Sequence, residues 1–446
     1  LSTAARRLGD LPTAHVASRD AFGAAAELGD LSVMARAAVN LAGGPPGPPW
    51  WGFWSAVDDA ADRVQRLLDA GPEALHADEL VLLWCARASD LSRAGRHADA
   101  EDLLGRAMVL AEGPLLETVV SLGRWRIADL GGSAVERAAR GREVLDRARA
   151  ADFAPGMAVG HRCLAGSGVE RGDLPAARRE LNRIEAVAPR HRSEAVADDA
   201  MTVRTALDLF TGRLADAERG LIAALERFGH FGRGWLGVLD LQFVRLFYEQ
   251  HRMHLLEAQL RQRIAEDDAA PWNAGLVTLL TAHDRHDEAR EVLAAMSRDD
   301  LVRSGEPAAQ FVPSALFADA VVDLDDRERA EWLVAELEPR ADRLISMSNG
   351  ILFSGWLCLP VGRLLGLLGD DGRARHHLLD ARRRAEEAAS PLFELRARVA
   401  LAELDVRAGR RDDDAIRSLL DEATAAGYGV VAASIGRLSP RSASCC

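Results

Sequence analysis

The sequence predicts an all-α fold, a right-handed superhelical solenoid of about ten helical hairpins. Residues 84–107 read as two amphipathic helices joined by a glycine turn, with small or apolar residues spaced 4, 3, 4, 5, 4 and 3 apart. Nearly the same pattern recurs at intervals of about 40 residues. Few segments are rich in Val, Ile and Thr, so strands are not expected. Because one hairpin alone cannot bury its apolar face, the hairpins are expected to stack on one another.

Four parts are predicted along the chain. Residues 1–42 form the helices of a preceding segment or a first hairpin. Residues 43–54 form a Gly/Pro/Trp linker, because a run of four prolines and three glycines cannot be helical. Residues 55–440 form the solenoid, and residues 441–446 form a flexible tail. The aromatic run at 50–54 either lines a ligand site or, as we favour, covers the open end of the solenoid.

The predicted hairpin turns depend on residues that tolerate a left-handed backbone. Gly95, Gly172 and Gly212 each stand where one helix ends and the next begins, and glycine adopts positive φ without steric cost. Asp284 stands at the equivalent place in another hairpin. Pro360 lies inside an otherwise helical run and predicts a kink.

The composition restricts the classes of function. The chain has 446 residues and a net charge of −13, so it is expected to repel nucleic-acid phosphates. All 55 basic residues are arginine, and the absence of lysine excludes a P-loop or Schiff-base lysine in this chain. Five cysteines do not form an even disulfide framework, which fits a reducing compartment. With no run of 18 apolar residues, a cytoplasmic protein without a membrane span is expected.

Two motifs were weighed as cofactor or metal sites. Residues 232–237 spell GxGxxG, but a helix precedes them where dinucleotide binding needs a strand, so an inter-hairpin loop is the better interpretation. His251 and His254, or His283 and His286, place two imidazoles on one helical face. A zinc site needs three or four ligands, so these histidines are interpreted as solvated turn residues. We therefore predict no cofactor and no metal.

No catalytic residue is predicted either. Asp198 and Asp199 could pair for acid–base work, but no apolar pocket or nucleophile accompanies them, so they are interpreted as charges near a helix N-terminus. What remains is the concave groove, where arginines would suit an acidic peptide or a phosphate. The alternative for each groove residue is surface charge or aromatic core. The candidate groove residues are Arg162, Arg204, Trp235, Arg245, Tyr248 and Asn273.

The repeated unit resembles the tetratricopeptide repeat (TPR). Its period of about 40 residues is longer than the usual 34, and the copy at Gly212 carries Thr205 and Asp208 where small and apolar residues are expected. The signature positions that match are Trp84, Ala88, Leu91, Gly95, Ala100, Leu104 and Ala107.

Nearly the whole chain also resembles the C-terminal sensor region of large bacterial LuxR-type and MalT-like regulators, which are signal-transduction (STAND) ATPases. Residues 38–44, the Trp-containing linker and the stretch 351–381 carry this resemblance. It implies a non-catalytic TPR-like region of a transcriptional regulator that binds a protein or peptide partner, or a small-molecule effector. The chain has no GxxxxGK[ST] and no LuxR-type helix-turn-helix, so ATPase and DNA-binding modules are expected only in another part of a longer parent chain.

Two alternatives stay open from the sequence. One is a stand-alone TPR scaffold or peptide receptor without an ATPase module. The other is a repeat-containing enzyme, which a deep pocket lined by convergent titratable groups would favour over an open groove.

Overall fold

The computed structural model describes residues 11–41, 58–69, 75–131, 133–228, 233–266, 270–298, 311–347 and 350–438. Within these ranges the chain is helical apart from one short β-hairpin, so the predicted all-α class is confirmed. The predicted linker at 43–54, with its aromatic run, and the predicted tail at 441–446 lie outside the described residues. None of the described helices combines the length and apolar character needed to cross a lipid bilayer.

The described helices follow one another through short turns, and most consecutive helices contact each other. In chain order the elements are α1 (Leu11–Leu28), α2 (Leu31–Leu41), α3 (Asp58–Asp69), α4 (Ala77–Arg93), α5 (His97–Leu110), α6 (Pro114–Gly131), α7 (Ala134–Ala150), α8 (Ala154–Glu170), α9 (Leu174–Arg190), α10 (Glu194–Phe210), α11 (Leu214–Phe228), α12 (Arg233–Glu249), a 3₁₀ turn (Met253–Leu256), α13 (Glu257–Glu266), α14 (Ala270–Ala282), α15 (His286–Ala294), α16 (Phe311–Asp323), α17 (Arg327–Leu337), a second 3₁₀ turn (Glu338–Arg340), β1 (Leu344–Met347), β2 (Leu352–Trp356), α18 (Cys358–Leu368), α19 (Asp371–Glu387), α20 (Pro391–Arg407), α21 (Asp413–Ala425) and α22 (Gly429–Leu438).

The unit formed by α4 and α5 has the predicted interior. Ala88, Ala100, Leu104 and Ala107 are all buried, and they lie on the faces where the two helices meet. Alanine at these positions lets the helix backbones approach closely, while Leu104 supplies apolar area. Gly95 in the turn has φ of 75°, as its predicted role requires.

The other predicted turns use the same left-handed backbone. Gly172 and Gly212 have φ of 75° and 74°, and Asp284 reaches 57° in the equivalent turn. Asparagine and aspartate tolerate this region better than other non-glycine residues. The predicted turn positions are therefore confirmed at these residues.

Six helices of the C-terminal half form a closed ring, which we call the helix ring: α12, α14, α16, α18, α20 and α22. From α14 to α22 each helix contacts the next one of the set, and α22 also contacts α12. The ring closes between α12 and α14, where Tyr248 and Thr278 line one cavity and the rings of His251 and His283 stack. Helices α13, α15, α17, α19 and α21 contribute nothing to the lining of that cavity.

A β-hairpin, which the sequence did not predict, lies between α17 and α18. β1 and β2 pair antiparallel, with Leu344 opposite Trp356 and Met347 opposite Leu352. Helix α18 begins only at Cys358, so Pro360 lies in its first turn, where a missing backbone N–H leaves no helical hydrogen bond unmade. The predicted kink at Pro360 is therefore wrong.

The hairpin ties the middle of the chain to the helix ring through an aromatic cluster. The Phe210 ring of α10 lies 5.9 Å from Phe353, 5.8 Å from Trp356 and 5.6 Å from Phe393, measured between ring centroids. All four side chains are buried. Such pairs contribute beyond their buried area because ring edges and faces carry opposite partial charge.

Two polar contacts fix the same junction. The Ser390 hydroxyl donates to the Phe210 carbonyl at 2.6 Å. The buried Gln242 amide of α12 donates to the carbonyls of Thr202 and Ile351, at 3.0 and 2.6 Å. A hydrogen bond that satisfies a buried polar group is costly to remove, so α10, α12 and the hairpin are held in one arrangement.

Candidate functional site

The six residues predicted to line one groove lie in different places. Arg245 and Tyr248 are buried on α12, and Tyr248 lines a cavity at the centre of the helix ring. Arg162, on α8, and Arg204, on α10, lie away from that cavity. The remaining two, Trp235 and Asn273, belong to the first turns of α12 and α14.

The side chain of Trp235 lies outside the described residues, although its backbone belongs to α12. Asn273 is half-buried and is not part of the cavity lining.

The ring cavity has a volume of about 60 Å³. Its wall combines three arginines and three carboxylates with hydroxyl groups and aliphatic side chains from all six ring helices. The lining residues that carry charge or a hydroxyl are Tyr248, Thr278, Thr281, Asp319, Asp323, Arg363, Arg396, Glu403, Ser434 and Arg437.

Arg363 of α18 is the central charge of the cavity. Its guanidinium forms an ion pair with Asp319 and lies 3.4 Å from Asp323 and 3.7 Å from Glu403. Burial disfavours the charged guanidinium, but the three carboxylates outweigh that effect and raise the pKa of Arg363 above its usual value. Arg363 therefore holds α16 and α20 to α18 by charge.

One end of the cavity is closed by a layer in which Asp319 is shared by Arg363, Arg396 and Tyr248. The Tyr248 hydroxyl donates to Asp319 at 3.2 Å, and Arg396 lies 3.9 Å from the same carboxylate. Although burial opposes ionisation, Arg363 and Arg396 lower the pKa of Asp319 below its usual range. Burial, followed by the Asp319 charge, raises the pKa of Tyr248, which stays protonated and able to donate.

Behind this layer Arg245 and Glu249 form a buried ion pair. They are four residues apart on α12, which places them on one helix face. Arg396 lies 3.5 Å from Glu249 and so links this pair to the cavity wall. Arg245 thus supports the site from behind and is not among the residues that line the cavity.

The other end of the cavity is less tightly paired. Asp323 lies 3.4 Å from Arg363 and 3.5 Å from Arg437, both longer than the usual charge-assisted hydrogen bond. Burial raises the pKa of Asp323 despite these cations. Glu403 accepts a hydrogen bond from Ser434 at 2.9 Å. Arg437 is 44% exposed, so this end opens towards solvent.

None of the six charged residues that line the cavity was among the residues predicted from the sequence. A signal was present, because Asp319 and Asp323 are four apart, and Arg396 and Glu403 seven apart, within helices whose neighbouring positions are apolar. Polar residues at helical spacing within an apolar face indicate an interior polar site. That spacing does not reveal which other helices face it, and Arg363 stands alone in its helix.

A second concave surface, the α9–α10 groove, contains Arg204. It has a volume of about 540 Å³ and an apolar floor that includes Ala197 and Met201. The Arg204 guanidinium donates to Glu185 at 2.8 Å, so it belongs to the rim as an ion pair. Arg227 of α11 lies at the same rim.

A buried carboxylate pair lies near this groove. Asp198 and Asp199, which the sequence analysis interprets as charges near a helix N-terminus, lie in the second turn of α10 and are almost fully buried. Arg162 donates to Asp199 at 3.2 Å, and Arg227 donates to Asp198 at 2.9 Å. Burial and then the Asp199 charge raise the pKa of Asp198 to about 8. Arg162 thus serves a buried ion pair.

Three histidines meet where α12 and α14 end. The rings of His251 and His283 stack with centroids 4.7 Å apart, and His254 meets His283 edge to face at 5.2 Å. His251 and His283 are half-buried, which differs from the predicted solvated turns. Burial lowers the pKa of both, and Arg437 lowers that of His251 further. No group of His, Cys, Asp or Glu within the described ranges has the geometry to hold a metal ion.

No protein-family model matches the chain, and comparison with curated proteins likewise gives no match.

Proposed function

We propose that the chain is the effector-sensing region of a bacterial signal-transduction regulator and that it binds a small molecule in the cavity of the helix ring. In this proposal the chain is a cytoplasmic TPR-like right-handed solenoid whose C-terminal repeats close on themselves. The hairpin units with small residues at their contacts support the repeat interpretation. The resemblance of the sequence to LuxR-type regulators supports the regulatory role.

One observation carries the ligand site. Charged and hydroxyl side chains from all six ring helices converge on one cavity, although each buried charge costs desolvation energy. A purely structural ring could fill its centre with aliphatic side chains at equal or lower free energy. Convergent polar groups in a concave, partly apolar pocket are what small-molecule recognition requires.

The pocket also bears on the enzyme alternative, and we place it second to ligand binding. Each cavity carboxylate contacts an arginine, and the described lining residues include neither His nor Cys. Paired carboxylates held in ion pairs are poor acids and bases, since their charge is already compensated. We therefore propose a non-catalytic role.

The α9–α10 groove favours a further candidate, a protein or peptide partner. It is larger than the ring cavity, and its rim carries three arginines, Arg192, Arg204 and Arg227, together with two glutamates. The carboxylates of an extended acidic peptide would replace those glutamates as ion-pair partners of the arginines. This role is compatible with a stand-alone scaffold or peptide receptor.

A matched pair of variants separates the two sites. Ala282 is the last residue of α14 and lines the ring cavity, so Ala282→Leu reduces the space available there. Ala425 is the exposed last residue of α21, so Ala425→Leu is the control. We expect some members of a metabolite library to raise the melting temperature of the wild type and of Ala425→Leu but not of Ala282→Leu.

Three outcomes decide the question. Ligands that stabilise all three proteins equally would place the site elsewhere and contradict the cavity assignment. Stabilisation by acidic peptides alone, lost in Arg204→Ala, would favour the groove.

For the regulator role, the gene sequence upstream of Leu1 is expected to encode a nucleotide-binding module, and a start codon immediately before it would favour the stand-alone scaffold.

A further inference from the structure

The charges of the ring cavity balance. Three guanidinium groups and three carboxylates line it, so the wall adds no net charge at neutral pH. A ligand with a net charge would enter this wall with one charge unmatched, which is costly in a partly buried site. A ligand that carries both signs, or neither, avoids that penalty.

The positions of Asp323 and Arg437 favour a ligand that carries both signs over one that carries none. Asp323 and Arg437 lie 3.5 Å apart at the open end of the cavity, with opposite charges side by side. Glu403 belongs to the same end, because it lies 3.7 Å from the Arg363 guanidinium that contacts Asp323 and accepts a hydrogen bond from Ser434 of α22, the helix that carries Arg437. The protein therefore presents an anionic and a cationic group within one contact distance of each other.

The volume limits the size of the ligand. About 60 Å³ of accessible space holds roughly four to six water molecules, at about 10–15 Å³ each. A ligand of about four to six non-hydrogen atoms would fill the same space as those water molecules. The aliphatic part of the wall, which includes Leu359, Val399 and Val431, suits a short apolar substituent.

We propose that the ring cavity binds a small zwitterionic α-amino acid with a short aliphatic side chain, of the size of glycine or alanine. Its ammonium group donates to Asp323 and Glu403, and its carboxylate accepts from Arg437. The two charges of such a molecule sit on one carbon, which matches the short separation of Asp323 and Arg437. This inference rests on the proposed ligand-binding function and names the class of ligand.

Neither half of the molecule would satisfy the site alone. An alkylammonium ion would donate to Asp323 and Glu403, but Arg437 would keep only its present contact with Asp323. A carboxylate ion would meet Arg437 while competing with Asp323 for it. Charge-assisted hydrogen bonds at both ends are therefore needed for the full affinity.

Isothermal titration calorimetry of the full chain at pH 7.5 tests this with three probes of related skeleton: L-alanine, propionate and ethylamine. Alanine is expected to bind at least tenfold more tightly than either propionate or ethylamine. Asp323→Asn and Arg437→Gln are each expected to weaken alanine binding at least tenfold. Arg417→Gln, at a 67% exposed arginine of α21, is the matched control and should bind alanine as the wild type does.

The outcomes distinguish the ligand class from the wider proposal. If propionate or ethylamine binds as tightly as alanine and Ala282→Leu blocks it, the amino-acid inference is overturned and the ligand cavity stands. If alanine does not bind but another compound stabilises the wild type and not Ala282→Leu, the amino-acid inference is likewise overturned and the ligand cavity stands. If no compound distinguishes the wild type from Ala282→Leu, both proposals fail. These comparisons use only the wild type and Ala282→Leu, so they do not depend on whether Asp323→Asn folds.

Discussion

Replacing Arg363 by methionine tests whether the helix ring is held by charge. Methionine keeps much of the side-chain volume and removes only the guanidinium. In the wild type three arginines face three carboxylates, so the cavity lining has no net charge, and the substitution leaves two arginines against three carboxylates. Asp319 keeps Arg396 at 3.9 Å, and Asp323 keeps Arg437 at 3.5 Å.

Removing one partner of a buried ion pair typically costs about 3–5 kcal/mol, because the other charge stays buried without compensation. We therefore expect Arg363→Met to lower the free energy of unfolding by about 3–5 kcal/mol at pH 7.5. Urea denaturation followed by far-UV circular dichroism measures this loss. Arg417→Met removes an exposed ion pair with Asp414 and should leave the stability nearly unchanged.

The pH dependence of the loss distinguishes charge from packing. In the wild type Arg363 and Arg396 lower the pKa of Asp319 against the effect of burial. Without Arg363 the pKa of that buried carboxyl should rise, and protonation would then relieve the uncompensated charge. The difference in stability between wild type and Arg363→Met should therefore shrink as the pH falls from 7.5 to 5. A loss below about 1 kcal/mol, or one that is equal at both pH values, would refute this account.

Three further predictions concern the junction and the histidines. Phe210→Ala should cost about 3–5 kcal/mol in the same urea assay because a fully buried aromatic side chain is lost, and a change under 1 kcal/mol would contradict its core role. Gly355→Ala should cost about 1–3 kcal/mol, since φ is 77° there and a Cβ would lie 2.6 Å from Phe393; wild-type stability would exclude that strain. Because the pKa values of His251 and His283 are lowered by folding, the unfolded chain binds more protons, and urea midpoints should fall as the pH drops below about 6.5. His283→Asn should flatten that fall, and an unchanged slope would exclude the stacked pair as its cause.

The helical hairpin of α4 and α5 could be predicted because it depends on local chemistry. The spacing of Ala100, Leu104 and Ala107 places them on one helix face, and all three are buried. The turn at Gly95 needs positive φ, which few residues other than glycine adopt easily. Both requirements involve residues that are close together in the sequence, so a single sequence is enough to recognise them.

Ring closure and the cavity could not be predicted in the same way. They depend on the angle between successive hairpins, and small angular differences decide whether six inner helices form an open groove or meet again. Tyr248 and Arg245 were found because polar residues on an inner helix stand out, but their partner Asp319 lies 71 residues beyond Tyr248. The β-hairpin was missed because each strand has only four or five residues and lies between long helices.

The closed ring also changes how its helices are expected to unfold. In an open array the end repeats have one neighbour each, so the array can fray from its ends. From α14 to α22 each ring helix contacts the next, α22 also contacts α12, and the stacking of His251 on His283 joins the ends of α12 and α14. Detaching any one of them breaks two interfaces at once and opens the cavity wall. Ligand binding in the cavity would therefore be coupled to the folding of all six helices. A bound ligand would stabilise the whole ring as one cooperative unit and not a single hairpin.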